Sequence, residues 1–339
     1  MKSSCSLLLA LLLAPLAVSA QTPAPLKLEK TISLKPVSSK FDHLAFDAAA
    51  NRLFITATSN HSVEVIDLKT DSISQSITGL GKPHGLAWVA STGSLYVSDG
   101  SLAELRVYKG SPLALAGSIK LSEDADDMVY DEANHLLFVG HGTGEAASPA
   151  RVSVVDTAHF TLVANLAVAT HPEALDIDPA GHRVFVNIAD SNEIVVIDTA
   201  TRAITAHWKL TKAAGNVPLA FDADHNLLFV GCRKPGAVIV LDASTGKELS
   251  SLPGAAGADD LFYDPALRSI YLIAGSGEVD AYQVDASKAI HSLGVLPTAS
   301  GAKTALWVPA QNLLYVGVPG PSGQPSEIRA FAPAAGAGK

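Results

Sequence analysis

Seven times along the chain a short apolar strand and a turn lead into a second strand built round an aromatic. The aromatics fall at Phe54, Tyr96, Phe138, Phe185, Phe229, Tyr271 and Tyr315. Successive gaps are 42, 42, 47, 44, 42 and 44 residues, a period at which repeats stack as propeller blades rather than as helical solenoids. In the first unit, 43–47 and 52–56 alternate apolar and polar residues around a turn, while 62–67 and 74–78 supply two more strands. Four antiparallel strands per unit make one blade.

Two columns of the alignment carry the packing. Ten residues before the aromatic stand Leu44, Leu86, Met128, Leu175, Leu219, Leu261 and Ala305; eight before it stand Phe46, Trp88, Tyr130, Ile177, Phe221, Tyr263 and Trp307. Side chains two residues apart share one face of a strand, so both columns are expected between blades. Seven residues before the aromatic, five units carry Asp47, Asp131, Asp178, Asp222 and Asp264. Asp at a strand end caps the following turn, and these residues read as structural, like Asp67, Asp156, Asp198 and Asp242 after the third strands. The last unit stops after its third strand, 327–331, whereas 30–34 precedes the first unit and matches a fourth strand. The N-terminal segment therefore completes the last blade, and the expected fold is an all-β, seven-bladed β-propeller with four antiparallel strands per blade over residues 26–332.

Outside the repeats, Lys2, an apolar run from Leu7 to Val18 and small residues before Gln21 form the pattern of a secretory signal peptide over 1–20, cleaved after Ala20. The apolar run is too short for a membrane span. Residues 21–25 read as a linker and 333–339 as a flexible tail. The expected location is the periplasm or the medium. Cys232 is then the one cysteine of the mature chain, which excludes an internal disulfide. The net charge of −9 and the lack of a basic patch argue against nucleic acid as a partner. The chain is read as a monomer.

The units resemble the YVTN-type bacterial propeller repeats. Val63-Glu64-Val65-Ile66-Asp67 and Ile194-Val195-Val196-Ile197-Asp198 keep that family's third strand, while second strands such as Tyr96-Val97-Ser98-Asp99 depart from its signature. Phe41-Asp42-His43-Leu44, His171-Pro172-Glu173, Gly231-Cys232-Arg233-Lys234-Pro235 and 259–264 are similar to a group of secreted YVTN-type proteins. The resemblance covers 26–332 and implies fold and export, with little chemistry.

Function must then be read from the site, since propellers host binders, scaffolds and enzymes alike. Twelve and eleven residues before each aromatic stand Asp42-His43, His84-Gly85, Asp126-Asp127, Glu173-Ala174, Val217-Pro218, Asp259-Asp260 and Lys303-Thr304. These pairs should ring one mouth of the central channel. Loops between second and third strands, with His61, Asp99, His141, Asp190, Arg233 and Lys234, should open on the same face. The candidate ligand-binding residues are Asp42, His43, His84, Asp126, Asp127, Glu173, Arg233, Asp259, Asp260 and Lys303. Two histidines and six carboxylates suit a divalent cation, oxygen donors favouring calcium or magnesium and imidazoles favouring zinc or another transition metal. The alternative is that the acids cap strands or pair with Lys303 and Arg233.

The leading expectation is an exported binding module whose funnel takes a small ligand, a metal ion or an envelope protein. The second is a metal-assisted lactonase or ester hydrolase, with a funnel carboxylate or His84 as general base and Arg233 or Lys303 at the oxyanion. No Gly-x-Ser-x-Gly elbow, haem-attachment motif or phosphate loop is present. Cys232 precedes two basic residues, which could favour a thiolate, but reads as a half-buried, inert thiol. His171, His182, His207, His225 and His291 read as solvated surface. The insertions 142–149 and 319–325 are expected on the funnel face.

Overall fold

The computed structural model describes residues 24–334 except 144–147 and 322. The signal-peptide reading and most of the tail lie outside the described residues. Seven four-stranded antiparallel sheets are present among the described residues, six of them running in sequence order from the axis outward. The innermost strands are Phe41–Asp47, Pro83–Val89, Met128–Asp131, Pro172–Asp178, Ala214–Asp222, Ala258–Asp264 and Thr304–Val308. Blade 7 is completed by the N-terminal strand Leu26–Ser33, paired antiparallel with Glu327–Pro333, as the missing fourth strand required. This pairing removes an open sheet edge.

The packing columns are buried or half-buried as expected, but the column ten residues before the aromatic, from Leu44 to Ala305, also lines the central channel. All seven aromatics are at most 2% exposed, and at four blade interfaces the aromatic meets the ring eight residues before the next blade's aromatic. Ring centroids lie 5.3 Å apart for Phe54 and Trp88, 5.4 Å for Phe185 and Phe221, 4.8 Å for Phe229 and Tyr263, and 5.4 Å for Tyr271 and Trp307. Such pairs add roughly 0.5–1.5 kcal/mol each beyond the area they bury. The turn aspartates are also structural. Asp47 accepts from the amides of Ala49 and Ala50 and from Arg52 Nε at 2.9 Å. Asp178 accepts from Gly181 N at 2.9 Å and Arg183 Nε at 3.0 Å.

One irregularity positions the site. In blades 1, 2, 4, 5 and 6 the pairing of first and second strands breaks register at the mouth: between Phe41 and Leu44, Pro83 and Leu86, Pro172 and Leu175, Asn216 and Leu219, and Ala258 and Asp260. A bulge releases residues from strict alternation and re-aims their side chains. The pair twelve and eleven residues before the aromatic lies in or beside each break, so both members reach the funnel and its channel. In blade 3, Asp126 and Asp127 precede the strand and are tied to Gly140 by backbone bonds of 2.9 and 3.0 Å. Gly85 lets the chain pass closely there, because a Cβ at that position would lie 2.3 Å from the Asp126 carbonyl oxygen.

Candidate functional site at the funnel mouth

The mouth is a polar cavity of about 250 Å³ whose lining includes Asp42, His43, His84, Asp126, Glu173 and Lys303. Below it a chamber of about 350 Å³ shares His43, Asp127 and Asp260 and continues between the innermost strands. Nine of the ten residues expected at the mouth line this cavity, and Arg233 reaches it through Asp259.

Charge is divided across the mouth. On one side Asp259 is bonded to both Arg233 and Lys303, and Lys303 Nζ lies 3.3 Å from Asp42 Oδ1. Arg233 Nε also donates to the Ala258 carbonyl at 2.7 Å. This side is the pairing across the funnel that the sequence left open as an alternative. It also occupies the two cations that the hydrolase reading needs at an oxyanion.

The opposite side is built round Asp126. Its Oδ1 is closed to solvent and has no hydrogen-bond partner; His43 Nε2 and His84 Nδ1 each stand 3.7 Å away. Oδ2 lies 3.4 Å from His171 Nε2. His84 Nδ1 is bonded to Asp42 Oδ2, and His84 Nε2 is buried without a partner. His171 Nδ1 donates to the Gly142 carbonyl at 2.9 Å, which leaves Nε2 directed at Asp126. Two sets of three donor atoms, from Asp42, His84 and Asp126 and from Asp126, His171 and Glu173, each lie within 4.8 Å of one another. In residue type and spacing, each set could hold a metal ion.

The electrostatics follow from burial and close carboxylates. Burial opposes charge on Asp126, but His171, His43 and His84 outweigh it and hold its pKa well below the usual range. Burial likewise disfavours the imidazolium forms, yet Asp127, Asp126 and Asp42 raise His43 well above its ordinary value, and Asp126 raises His171 to about 9. His84 is raised chiefly by Asp42 against the same burial. Glu173 is pushed up to about 7 by burial, then by Asp126. Asp260 is pushed up to about 7 by burial, partly offset by His43 and the Ala305 amide.

Several expectations are corrected. His171 is not solvated surface: its side chain is 16% exposed and lies in the mouth. Asp99 is buried beneath the loop it was expected to open from, accepting from Gly81, Lys82 and Leu102 amides. His141 is buried too; its Nδ1 accepts from Ser122 N at 3.1 Å and Nε2 meets Ser153 Oγ at 2.8 Å. Burial, with Arg151 and His171, lowers it to about 4. It supports the segment carrying Asp124 and Asp126. His61, against the Gly81 carbonyl, and exposed Asp190 and Lys234 do not line the mouth. Cys232 is fully buried rather than half-buried, and burial pushes its thiol up to about 12, the opposite of an activated thiolate. His182, His207, His225 and His291 are exposed.

The sequence did carry a signal for His171. Fourteen residues before each aromatic stand Lys40, Lys82, Asp124, His171, Gly215, Gly257 and Gly301. Blades 1–4 put an ionisable side chain at this step, whereas blades 5–7 put glycine.

No family model matches the chain. Two curated relatives, each described as "Uncharacterized protein YncE", from Salmonella typhimurium and Salmonella typhi, are 24% identical over 243 residues, 66% of this chain. The match spans 65% of those relatives' length. Among solved structures, Kuenenia stuttgartiensis hydrazine synthase superposes with TM-score 0.75 at 16% identity, covering 87% of this chain and 97% of that one. A chain of the mitotic checkpoint complex superposes with TM-score 0.74 at 13% identity, covering 98% of both. These likenesses show the propeller fold, and the two relatives place the chain at a distance from YncE-type proteins. Among the described residues no helix is long and apolar enough to cross a membrane.

Proposed function

We propose that the protein is a binding module of the exported YVTN-type class and that its funnel mouth holds a divalent cation at Asp126. The observation that carries this reading is the Asp126 carboxylate, with one oxygen closed to solvent and unpartnered among imidazoles and other carboxylates. That oxygen keeps its lone pairs free for a cation, which would take over from the histidine protons the balance of the buried carboxylate charge. The imidazole in each donor set favours zinc or another transition metal over calcium or magnesium, and the carboxylates beside it also suit manganese. Export is supported by the pattern at Lys2, Leu7–Val18 and Ala20, and the YVTN assignment by the third-strand motifs.

The test is thermal unfolding of untagged protein, stripped with chelator and then titrated with zinc or manganese. Wild type should gain stability on titration, and Asp126→Asn should not. A wild-type curve indifferent to both metals would overturn the reading. Expression with the native leader, followed by N-terminal sequencing, should give a mature chain starting at Gln21. The lactonase reading has no observation favouring it here, as Arg233 and Lys303 are both engaged by Asp259.

A further inference from the structure

We propose that the mouth holds two divalent cations, with Asp126 as a bridging carboxylate: one between Asp42, His84 and Asp126, the other between Asp126, His171 and Glu173. This rests on the proposed function and specifies its site.

The first support is the orientation of Asp126. Its oxygens serve different neighbours, Oδ1 at 3.7 Å from His84 Nδ1 and Oδ2 at 3.4 Å from His171 Nε2. A cation with bonds of about 2.1 Å to tetrahedral donors holds those donors roughly 3.4 Å apart. Both imidazole–Asp126 edges are therefore near the required length; in the first set the His84–Asp42 hydrogen bond must open for an ion to enter between its two atoms. A single ion between the sets would need both oxygens of Asp126 and two imidazoles to converge, whereas two ions keep each Asp126 oxygen with the imidazole it already faces.

The second support is the outer shell of His171. Metal-ligating histidines commonly donate their other ring N–H to a backbone carbonyl or carboxylate, which fixes the tautomer and aims the lone pair. His171 has this arrangement through Gly142 at 2.9 Å, and it belongs to the set that excludes His84. The position thus has its own oriented nitrogen donor. The third is charge: Asp42, Asp126 and Glu173 offer three carboxylates to the two ions, with Asp124 3.9 Å from His171 Nδ1. Centres of this kind place their ions about 3.5–4 Å apart, a separation a single bridging carboxylate spans.

The test is manganese loading of untagged, chelator-stripped protein, with metal content measured after desalting and the bound ions examined by electron paramagnetic resonance. Wild type should carry two ions per chain and give an exchange-coupled spectrum. Glu173→Gln and Asp42→Asn should each retain one ion with an uncoupled six-line spectrum, and Asp126→Asn should lose both ions or the coupling. Circular dichroism confirms that each variant is folded, and if one is not, His171→Gln or His84→Gln replaces it as the single-site probe. One ion per chain in wild type, or two without coupling, would overturn the bridged pair while leaving the proposed function standing. No bound manganese here, together with no response to zinc or manganese in the thermal titration, would overturn both.

Discussion

Each innermost strand can carry carboxylates at both ends, and the two ends of the molecule use them in opposite ways. At the turn end, Asp47 and Asp178 are saturated by amides within three residues and by an arginine five residues on. Those arginines then lie over Phe54 and Phe185, with the guanidinium carbon 5.2 and 5.1 Å from the ring centroid. At the mouth, Asp126 and Glu173 come from equally regular columns, but their partners are side chains of other blades at 3.4 Å or more, or are lacking. Residue type and period are the same at both ends. What separates a structural aspartate from a candidate ligand is whether its own turn satisfies it.

The contrast can be broken by mutation. The largest effect is expected at the turn end, where Asp178→Ala strands the Gly181 amide and takes from Arg183 its carboxylate, leaving it the Ala243 carbonyl and Asn226, and should cost about 3–5 kcal/mol in urea unfolding of metal-free protein. A loss below about 1 kcal/mol would remove the structural half of the comparison.

Asp176, inside the channel, tests an intermediate case. Burial pushes it up to about 6, although the Ile177 and Phe221 amides each donate to it at 2.7 Å. A raised folded pKa means that its contribution to stability is complete below the ordinary carboxylate value of about 4. That contribution is lost as pH rises through 6. The stability of wild type relative to Asp176→Asn should therefore fall by roughly 3 kcal/mol between pH 3.5 and pH 7.5. A difference that stays flat, or grows with pH, would contradict the assignment.

At the mouth, zinc at about a hundred times its dissociation constant should stabilise wild type by about 2.7 kcal/mol. Asp126→Asn should remove that gain, and because three histidines hold Asp126 ionised, the metal-free variant should also lose stability at neutral pH, by less than Asp178→Ala. If the metal-free variant loses as much as Asp178→Ala, the mouth is built for stability like the turns. The smallest effect is expected at Asp67, an outer-turn aspartate accepting from the Lys69 amide at 2.8 Å. Asp67→Ala should cost less than about 1 kcal/mol by thermal unfolding, as exposed turns contribute little.

Most of the architecture was legible because a blade is a local unit repeated. A period of 42 to 47 residues, two apolar columns and one unit short of a strand define seven blades and their closure. The mouth was legible by subtraction, as the column that varies where packing columns do not. Side-chain direction in loops was not. Asp99 and His141 end the second strands Ser94–Asp99 and Leu136–His141 instead of lying in the loops that follow, and turn inward to bind backbone amides or a hydroxyl. His171 lies one residue before Pro172, where the bulge begins, so strict strand alternation assigns it no face. Asp176 stands in a column that elsewhere holds Ala45, Ala87, Val129, Ala220, Phe262 and Leu306, so its apolar equivalents gave no sign that it lines the channel.

Because Leu26–Ser33 zips onto Glu327–Pro333, the earliest-made strand must wait for the latest. Until a ribosome has released the last strand, an arc of blades carries a bare edge at each end. Joining ends about 300 residues apart carries a loop-closure penalty of about 5 kcal/mol, which arises once and late. A chain cut short before Glu327 would leave Leu26–Ser33 without the strand it pairs with, and the seventh blade with its two inner strands alone.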